Sequence, residues 1–213
     1  MNTLGVLMLD TRFARIVGDI GNPQTFDFPV RCRTVPRASP QRVVRERDPA
    51  LLQPLIDAGR ALVAEGATAI TTSCGFLVVF QCELQAALPV PVWTSRLLLL
   101  AESSGAGVIT VDAARLGDDH LRAAGAPPDT PIEGLEPGCA FQRCLLHGEA
   151  ALDTANAREE TVAAARRLIA RHPRLSTIVL ECTNMPPYAD AVRAATGRSV
   201  LDITTLLRQR FQT

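Results

Sequence analysis

Short apolar runs alternate with stretches of helical periodicity along most of the chain. The run at 4–9 predicts a buried parallel strand. Similar runs predict further strands at 67–72, 90–93, 107–111, 131–135, 176–180 and 199–201. Helical spacing predicts helices over 51–63, 76–87, 95–104, 113–125, 154–172, from 185 onward and over 203–211. Thr154 is predicted to cap the helix over 154–172. This alternation predicts an α/β fold with mainly parallel sheets.

The pattern is duplicated. When the sequence is shifted by 108 positions, Cys74 falls on Cys182, and the apolar positions that follow the first cysteine fall on those that follow the second. A repeat of this length indicates a duplicated half-domain, since solenoid units are shorter. We therefore expect two similar lobes, related by a pseudo-twofold axis, with the active site in the cleft between them. Residues 1–100 are predicted to form the first lobe and 101–201 the second.

Two segments show neither the periodicity of a helix nor that of a strand. Residues 18–48 are rich in proline and glycine, with one possible strand near 28–35, and residues 126–150 are irregular apart from the strand at 131–135. The first segment contains six arginines, at 31, 33, 37, 42, 45 and 47. We interpret these arginines as a solvated surface in preference to an anion site, because acidic residues are interspersed and few aromatics accompany them.

The composition excludes several classes of protein. The formal net charge is zero, so nothing in the global charge indicates nucleic acid or an anionic membrane as a partner. No apolar run approaches the length of a membrane span, and the first residues lack the basic region of a signal peptide, so a cytoplasmic protein is expected. The chain contains no lysine, which rules out a pyridoxal-phosphate Schiff base and a P-loop. His120, His147 and His172 are scattered and are interpreted as surface residues.

The cysteines are the best candidates for chemistry. All six, at 32, 74, 82, 139, 144 and 182, are expected to be free thiols, and their spacing does not match a zinc site. Cys74 and Cys182 each follow a predicted strand and precede a predicted helix. A helix N-terminus favours negative charge, so we expect a lowered thiol pKa at both positions. A thiolate and a thiol on opposite sides of a ligand could remove a proton from a carbon beside a carboxylate and return it on the other face.

Small polar residues surround both cysteines and follow the first strand, at the sheet edge where α/β folds bind ligands. The predicted substrate-binding residues are Asp10, Thr11, Thr72, Ser73, Gly75, Thr183 and Asn184.

Thr72-Ser73-Cys74 together with Glu181-Cys182-Thr183-Asn184 resembles the paired motif of the aspartate/glutamate racemase superfamily, which includes hydantoin racemases, maleate isomerases and arylmalonate decarboxylases. The resemblance implies a two-lobed α/β fold, no cofactor, the two cysteines as catalytic acid and base, and a terminal segment at 202–213 that packs on the first lobe. Gly75-Phe76 and Asn184 depart from the glutamate racemase pattern, which argues against glutamate as the substrate.

The leading expectation is a cofactor-independent racemase or epimerase that acts on a small carboxylate-bearing or hydantoin-like substrate. One alternative is a maleate-type cis-trans isomerase, or a decarboxylase or lyase, that uses one cysteine as nucleophile or proton donor. Another is a non-catalytic protein that binds a small carboxylate. No metal is expected, no nucleic acid or membrane is expected as a partner, and the chain is expected to form a homo-oligomer.

Overall fold

The computed structural model describes residues 2–103, 105–149 and 151–211. Eight strands form the sheets: β1 Leu4–Met8, β2 Val30–Thr34, β3 Ala69–Thr72, β4 Val92–Trp93, β5 Ala106–Thr110, β6 Ile132–Gly134, β7 Thr177–Leu180 and β8 Ser199–Leu201. Seven α-helices accompany them: α1 Leu52–Ala64, α2 Gln81–Ala87, α3 Asp118–Ala123, α4 Ala140–His147, α5 Thr154–Arg171, α6 Ala189–Thr196 and α7 Ile203–Phe211.

The strands form two parallel four-stranded sheets, ordered β2-β1-β3-β4 and β6-β5-β7-β8. The repeat is visible in the register. Ile70 pairs with Val92 in the first sheet, and Ile178, which lies 108 positions later, pairs with Val200 in the second. The predicted α/β fold with two similar lobes is confirmed.

The central strands are apolar because both of their faces are covered. Every residue of β1, β3 and β5 is buried, as expected for parallel strands with helices on both sides. One large core runs through both lobes. A smaller core joins β1 to α7 through Leu4, Val6, Ile203 and Leu206, so the last helix lies against the first sheet. The boundaries predicted for the lobes stay a prediction.

Several predicted helices are shorter than expected. The helix predicted at 76–87 begins with a 3₁₀ segment, Gly75–Phe80, and only α2 is α-helical. Only Arg96–Leu99 is helical within 95–104, and only α3 within 113–125. Asp153, not Thr154, caps α5 by accepting the N–H groups of Ala155 and Asn156. Some predicted positions lie outside the described residues: residue 104 at the end of one predicted helix, residue 150 at the end of one irregular segment, and the terminal residues 212–213.

Two features of the irregular segments matter for the site. Residues 126–150 contain α4, whose buried face includes Leu145 and Leu146. Residues 18–48 contain the edge strand β2 and a helical turn, Gln41–Glu46. Three of their six arginines pair with carboxylates: Arg33 with Glu65, Arg42 with Asp48 at 2.6 Å, and Arg47 with Asp119 at 2.6 Å, a pair that links the two lobes.

Within the described residues, no helix is long and apolar enough to cross a bilayer.

Candidate active site between the two lobes

Both cysteines line one pocket where the lobes meet. The pocket has an open volume of about 380 Å³, mouth included, and Cys74 from the first lobe and Cys182 from the second contribute to its wall. Cys74 lies two residues beyond the end of β3 and Cys182 two residues beyond the end of β7, so the carboxyl ends of the two sheets face the same space. Cys74 is partly exposed, and Cys182 is 8% exposed. The pairing of the two cysteines that the repeat predicts is therefore present in the geometry.

The predicted substrate-binding residues divide into three groups. Thr11, Ser73, Gly75, Thr183 and Asn184 line the pocket with the cysteines. Asp10 lies instead in a neighbouring, more open depression that also contains Arg12 and His147. Thr72 reaches neither space.

Thr72 is a structural residue. It is fully buried, and its hydroxyl lies 2.8 Å from the carbonyl oxygens of both Cys74 and Thr94. This contact holds the backbone at the end of β3 and fixes where Cys74 points. Its polar group is used inside the protein and does not line the pocket, and a substrate-binding role for Thr72 stays a prediction.

Ser73 and Thr183 join the lobes as well as lining the pocket. The Thr183 hydroxyl donates to the Ser73 carbonyl at 2.7 Å. The Ser73 hydroxyl accepts the Leu9 N–H at 2.8 Å, which ties β3 to the end of β1. Because these bonds are buried, they set the spacing of the two cysteine-bearing loops.

A chain of polar contacts reaches Cys182 from the first lobe. The Cys182 thiol donates to the Asn184 side-chain oxygen, with 3.6 Å between Sγ and Oδ1. The Asn184 amide donates to Asp19 at 2.6 Å, and Asp19 accepts from Arg15 at 3.0 Å. Arg15 also donates to Thr11 at 2.9 Å and lies 4.5 Å from the centre of the Phe13 ring. Cys182 is thus oriented by groups from the other lobe.

Sequence reasoning missed Phe13, Arg15 and Asp19. They lie in the irregular stretch after β1, and Arg15 and Phe13 line the pocket. Their position just beyond the carboxyl end of the first strand was the available signal, because ligands bind at that edge in α/β folds. The α4 residues Leu145 and Leu146 were also missed, since no helix was predicted there.

The expected lowering of the thiol pKa values is wrong. Burial raises the pKa of Cys74 to about 12, and the nearby Glu181 carboxylate contributes to that rise, against a smaller opposing effect of the Phe76 N–H. Burial and Glu181 also raise the pKa of Cys182 well above its usual value. Cys74 is the N-cap of the 3₁₀ segment Gly75–Phe80, and backbone N–H groups do lower both thiol pKa values, but burial and Glu181 outweigh them. With such pKa values both thiols are neutral near pH 7.

His120 is not a surface residue. It is 1% exposed, and its ring meets Phe76 edge-on with 5.1 Å between ring centres. Burial lowers the pKa of His120 to about 4, so it is a neutral packing partner behind the pocket wall.

Solved structures with the same fold are known, and the likeness shows the fold of the chain. The chain aligns with allantoin racemase from Klebsiella pneumoniae at a TM-score of 0.65 and 14% identity, covering 96% of this chain and 83% of that one. It aligns with unliganded arylmalonate decarboxylase at a TM-score of 0.59 and 17% identity, covering 94% and 87%. At these identities the likeness shows a shared fold and not a shared reaction. No protein-family model matches the chain.

Proteins that are similar to this chain in sequence are named neither racemases nor decarboxylases. A dimethylsulfoniopropionate lyase of Durusdinium sp. clade D is 32% identical over 94% of this chain and 71% of its own length. The chain belongs to the dimethylsulfoniopropionate lyase family. Dimethylsulfoniopropionate lyase 7 of Emiliania huxleyi (strain CCMP1516) is 29% identical over 95% of this chain, which spans 64% of that relative.

Membership of the lyase family corrects the leading expectation from the sequence. A racemase or epimerase, and with it the class of isomerases, is contradicted by relatives that are lyases. The paired motif identified the fold correctly, but the fold is shared by enzymes with different reactions. These relatives support a lyase, which was one of the alternatives, better than they support an isomerase.

Proposed function

We propose that this chain is a lyase that eliminates dimethyl sulfide from dimethylsulfoniopropionate and leaves acrylate. The observation that supports this most is the 32% identity to a dimethylsulfoniopropionate lyase over 94% of the chain. Such a substrate has a carboxylate, an acidic C–H beside it and a cationic sulfur on the next carbon. The pocket offers a suitable partner for each of these three parts.

Arg15 is the proposed partner of the carboxylate. A guanidinium has five N–H donors, and it binds carboxylates in a planar, two-bond arrangement. Two of the Arg15 contacts go to Asp19 and Thr11, which hold the group against the pocket wall and leave further donors for a ligand. This assignment extends the predicted binding set, in which Thr11 and Asn184 surround the same end of the pocket.

Cys182 is the proposed base. Its thiolate takes the proton from the carbon beside the carboxylate, the electrons of that C–H bond form the C=C bond, and the C–S bond breaks. The sulfonium leaves with the electron pair of the C–S bond as neutral dimethyl sulfide, and the thiol of Cys182 later returns its proton to solvent. Elimination requires one base, whereas inversion of a carbon requires a proton donor on the opposite face as well.

Binding of the cationic substrate favours the ionised form of the Cys182 thiol. Both thiol pKa values are raised by burial and by a nearby negative charge. A cationic sulfur in the same pocket opposes both effects, because an opposite charge within a few ångströms favours an ionised thiol. The base is therefore activated by the substrate itself. Cys74 faces the same space from the other lobe and is proposed to contact the bound substrate.

The test is to incubate the purified chain with dimethylsulfoniopropionate, measuring dimethyl sulfide in the headspace and acrylate by proton NMR. We expect the two products in equal amounts. Cys182→Ser should abolish their formation and Cys74→Ser should lower it, whereas Cys82→Ser, at an exposed cysteine outside the pocket, should leave it unchanged. No dimethyl sulfide above the enzyme-free rate, or full activity of Cys182→Ser, would refute the proposal.

Two expectations from the sequence remain predictions beside this proposal, namely a cytoplasmic location and a homo-oligomeric state. Cell fractionation tests the first, and analytical ultracentrifugation of the purified chain tests the second.

A further inference from the structure

Glu181 is a buried carboxyl group that the mechanism above does not use. It lies at the end of β7, directly before Cys182, and is 0% exposed. One oxygen, Oε2, accepts the Thr110 hydroxyl at 2.7 Å. The other, Oε1, is buried without a hydrogen-bond partner among the described residues. A buried acceptor left without a partner costs about 1–3 kcal/mol, so a group in this state calls for an explanation.

The fold makes room for this carboxyl group. A Cβ placed on Gly75 would clash with Oε1 of Glu181, so only glycine fits at that position. Gly75 directly follows Cys74 in the first lobe, whereas Glu181 belongs to the second. The carboxyl group is therefore held between the two cysteine-bearing loops, and it belongs to the pocket wall.

The pocket has a charge imbalance. Among its lining residues, only Arg15 and Glu181 carry formal charge. Arg15 is neutralised by Asp19 at 3.0 Å. In the described part of the chain, no cationic side chain lies within ion-pair distance of Glu181. The ionised form of Glu181 thus leaves one uncompensated negative charge in the wall.

We propose that Glu181 is a specificity-determining residue that selects substrates with a cationic centre two carbons from the carboxylate. The identity of that centre as a dimethylsulfonio group rests on the proposed function. The methyl groups of a sulfonium suit the apolar side of the pocket, which includes Phe76, Val111 and Leu145. A neutral ligand of the same shape would fill the same space and leave the charge of Glu181 unpaired.

Glu181 also links selection to the chemistry. Its charge contributes to raising the pKa of both thiols. When a cation pairs with Glu181, that effect is offset, so only a cationic substrate prepares the base. Ligands without the positive charge leave the thiols neutral.

The test compares two ligands of nearly the same shape, dimethylsulfoniopropionate and 4-methylpentanoate, in which a neutral carbon replaces the cationic sulfur. Both are titrated calorimetrically into Cys182→Ser, which leaves the sulfonium intact, and into Cys182→Ser/Glu181→Gln. At about pH 8 we expect the first protein to bind the sulfonium at least about tenfold more tightly than the neutral ligand, and the second to bind both within about twofold. A Cys182→Ser/Glu83→Gln protein, altered at an exposed glutamate, should keep the preference.

The pH profile supplies a readout that a purely structural role would not change. Burial raises the pKa of Glu181 to about 7, so the preference should weaken as the pH falls from about 8 to about 6 in the protein that contains Glu181. The pKa values of the remaining thiol and of His120 lie far above and far below this window. Arg15 and Asp19, the other charged groups at the pocket, form an ion pair with each other at 3.0 Å.

The outcomes separate the two proposals. An equal preference for the cation in Cys182→Ser and in Cys182→Ser/Glu181→Gln at every pH, no preference in either protein, or no binding of dimethylsulfoniopropionate overturns the inference. If Glu181→Gln does not fold, the pH profile of Cys182→Ser decides alone. If the wild type turns over dimethylsulfoniopropionate but the preference for the cationic ligand is the same with and without Glu181, only the role of Glu181 is refuted. A preference that depends on Glu181 without turnover would refute only the lyase.

Discussion

The buried Glu181 carboxyl predicts that the wild type becomes less stable as the pH rises through the neutral range. Burial raises its pKa from an ordinary 4.5 to about 7 in the folded protein. Between these two values the folded state retains a proton that the unfolded chain has lost. Linkage then requires the free energy of unfolding to fall as the pH rises from about 4.5 to about 7 and to stay level above that, as far as this group contributes.

The magnitude follows from the size of the change in pKa. At 1.36 kcal/mol per pKa unit, a rise from 4.5 to about 7 corresponds to about 3 kcal/mol. Solvent does not screen this group, because the side chain is fully buried. A loss of this size is a substantial part of the stability of an ordinary domain.

The assay is urea unfolding of the wild type and Glu181→Gln at several pH values between about 4 and 8, under reducing conditions because the chain has six free cysteines. The amide introduced by Glu181→Gln does not titrate, so the stability of the wild type relative to the variant should fall by about 3 kcal/mol over this range. Any constant cost of the amide cancels in that comparison. Glu83→Gln, an exposed change of equal charge, should follow the wild type. Parallel pH curves for the wild type and Glu181→Gln would refute the reasoning.

Three further predictions concern the pocket and its surroundings. Asp19→Asn removes the charge that holds Arg15, and we expect dimethyl sulfide release to fall at least about tenfold while the circular dichroism spectrum is retained. Thr183→Val leaves a buried carbonyl of the other lobe without its donor at 2.7 Å, and the free energy of urea unfolding should fall by about 1–3 kcal/mol. Iodoacetamide near pH 8 should modify the exposed Cys82 before Cys182, whose pKa is raised by burial, as followed by peptide mass mapping.

Both substitutions have a matched control, and in the alkylation experiment Cys82 is the internal reference. Asp190→Asn breaks an exposed ion pair with Arg193 and should leave turnover unchanged. Thr130→Val removes an exposed hydroxyl bond and should change the stability by less than about 0.5 kcal/mol. Wild-type turnover by Asp19→Asn, an unchanged stability of Thr183→Val, or alkylation of Cys182 ahead of Cys82 would contradict the corresponding argument.

The sequence alone was sufficient for the architecture and for the pair of cysteines. Apolar runs of strand length, separated by helical periods, predict parallel sheets because such strands must be covered on both faces. The shift of 108 positions predicts two lobes, and the identical pairing of Ile70 with Val92 and of Ile178 with Val200 follows from it. Cys74 and Cys182 were found because a repeat places equivalent residues at equivalent strand ends.

Tertiary structure decided what surrounds those cysteines. Asp19 contacts Asn184, which lies 165 positions later in the chain, from a segment without periodicity, and Arg15 pairs with Asp19. No local pattern encodes such a contact. The pKa values of the thiols also depend on burial and on Glu181, and they moved in the direction opposite to that expected from helix termini. Desolvation and charge act through space, so their sum at a sulfur is defined only when both lobes are folded against each other.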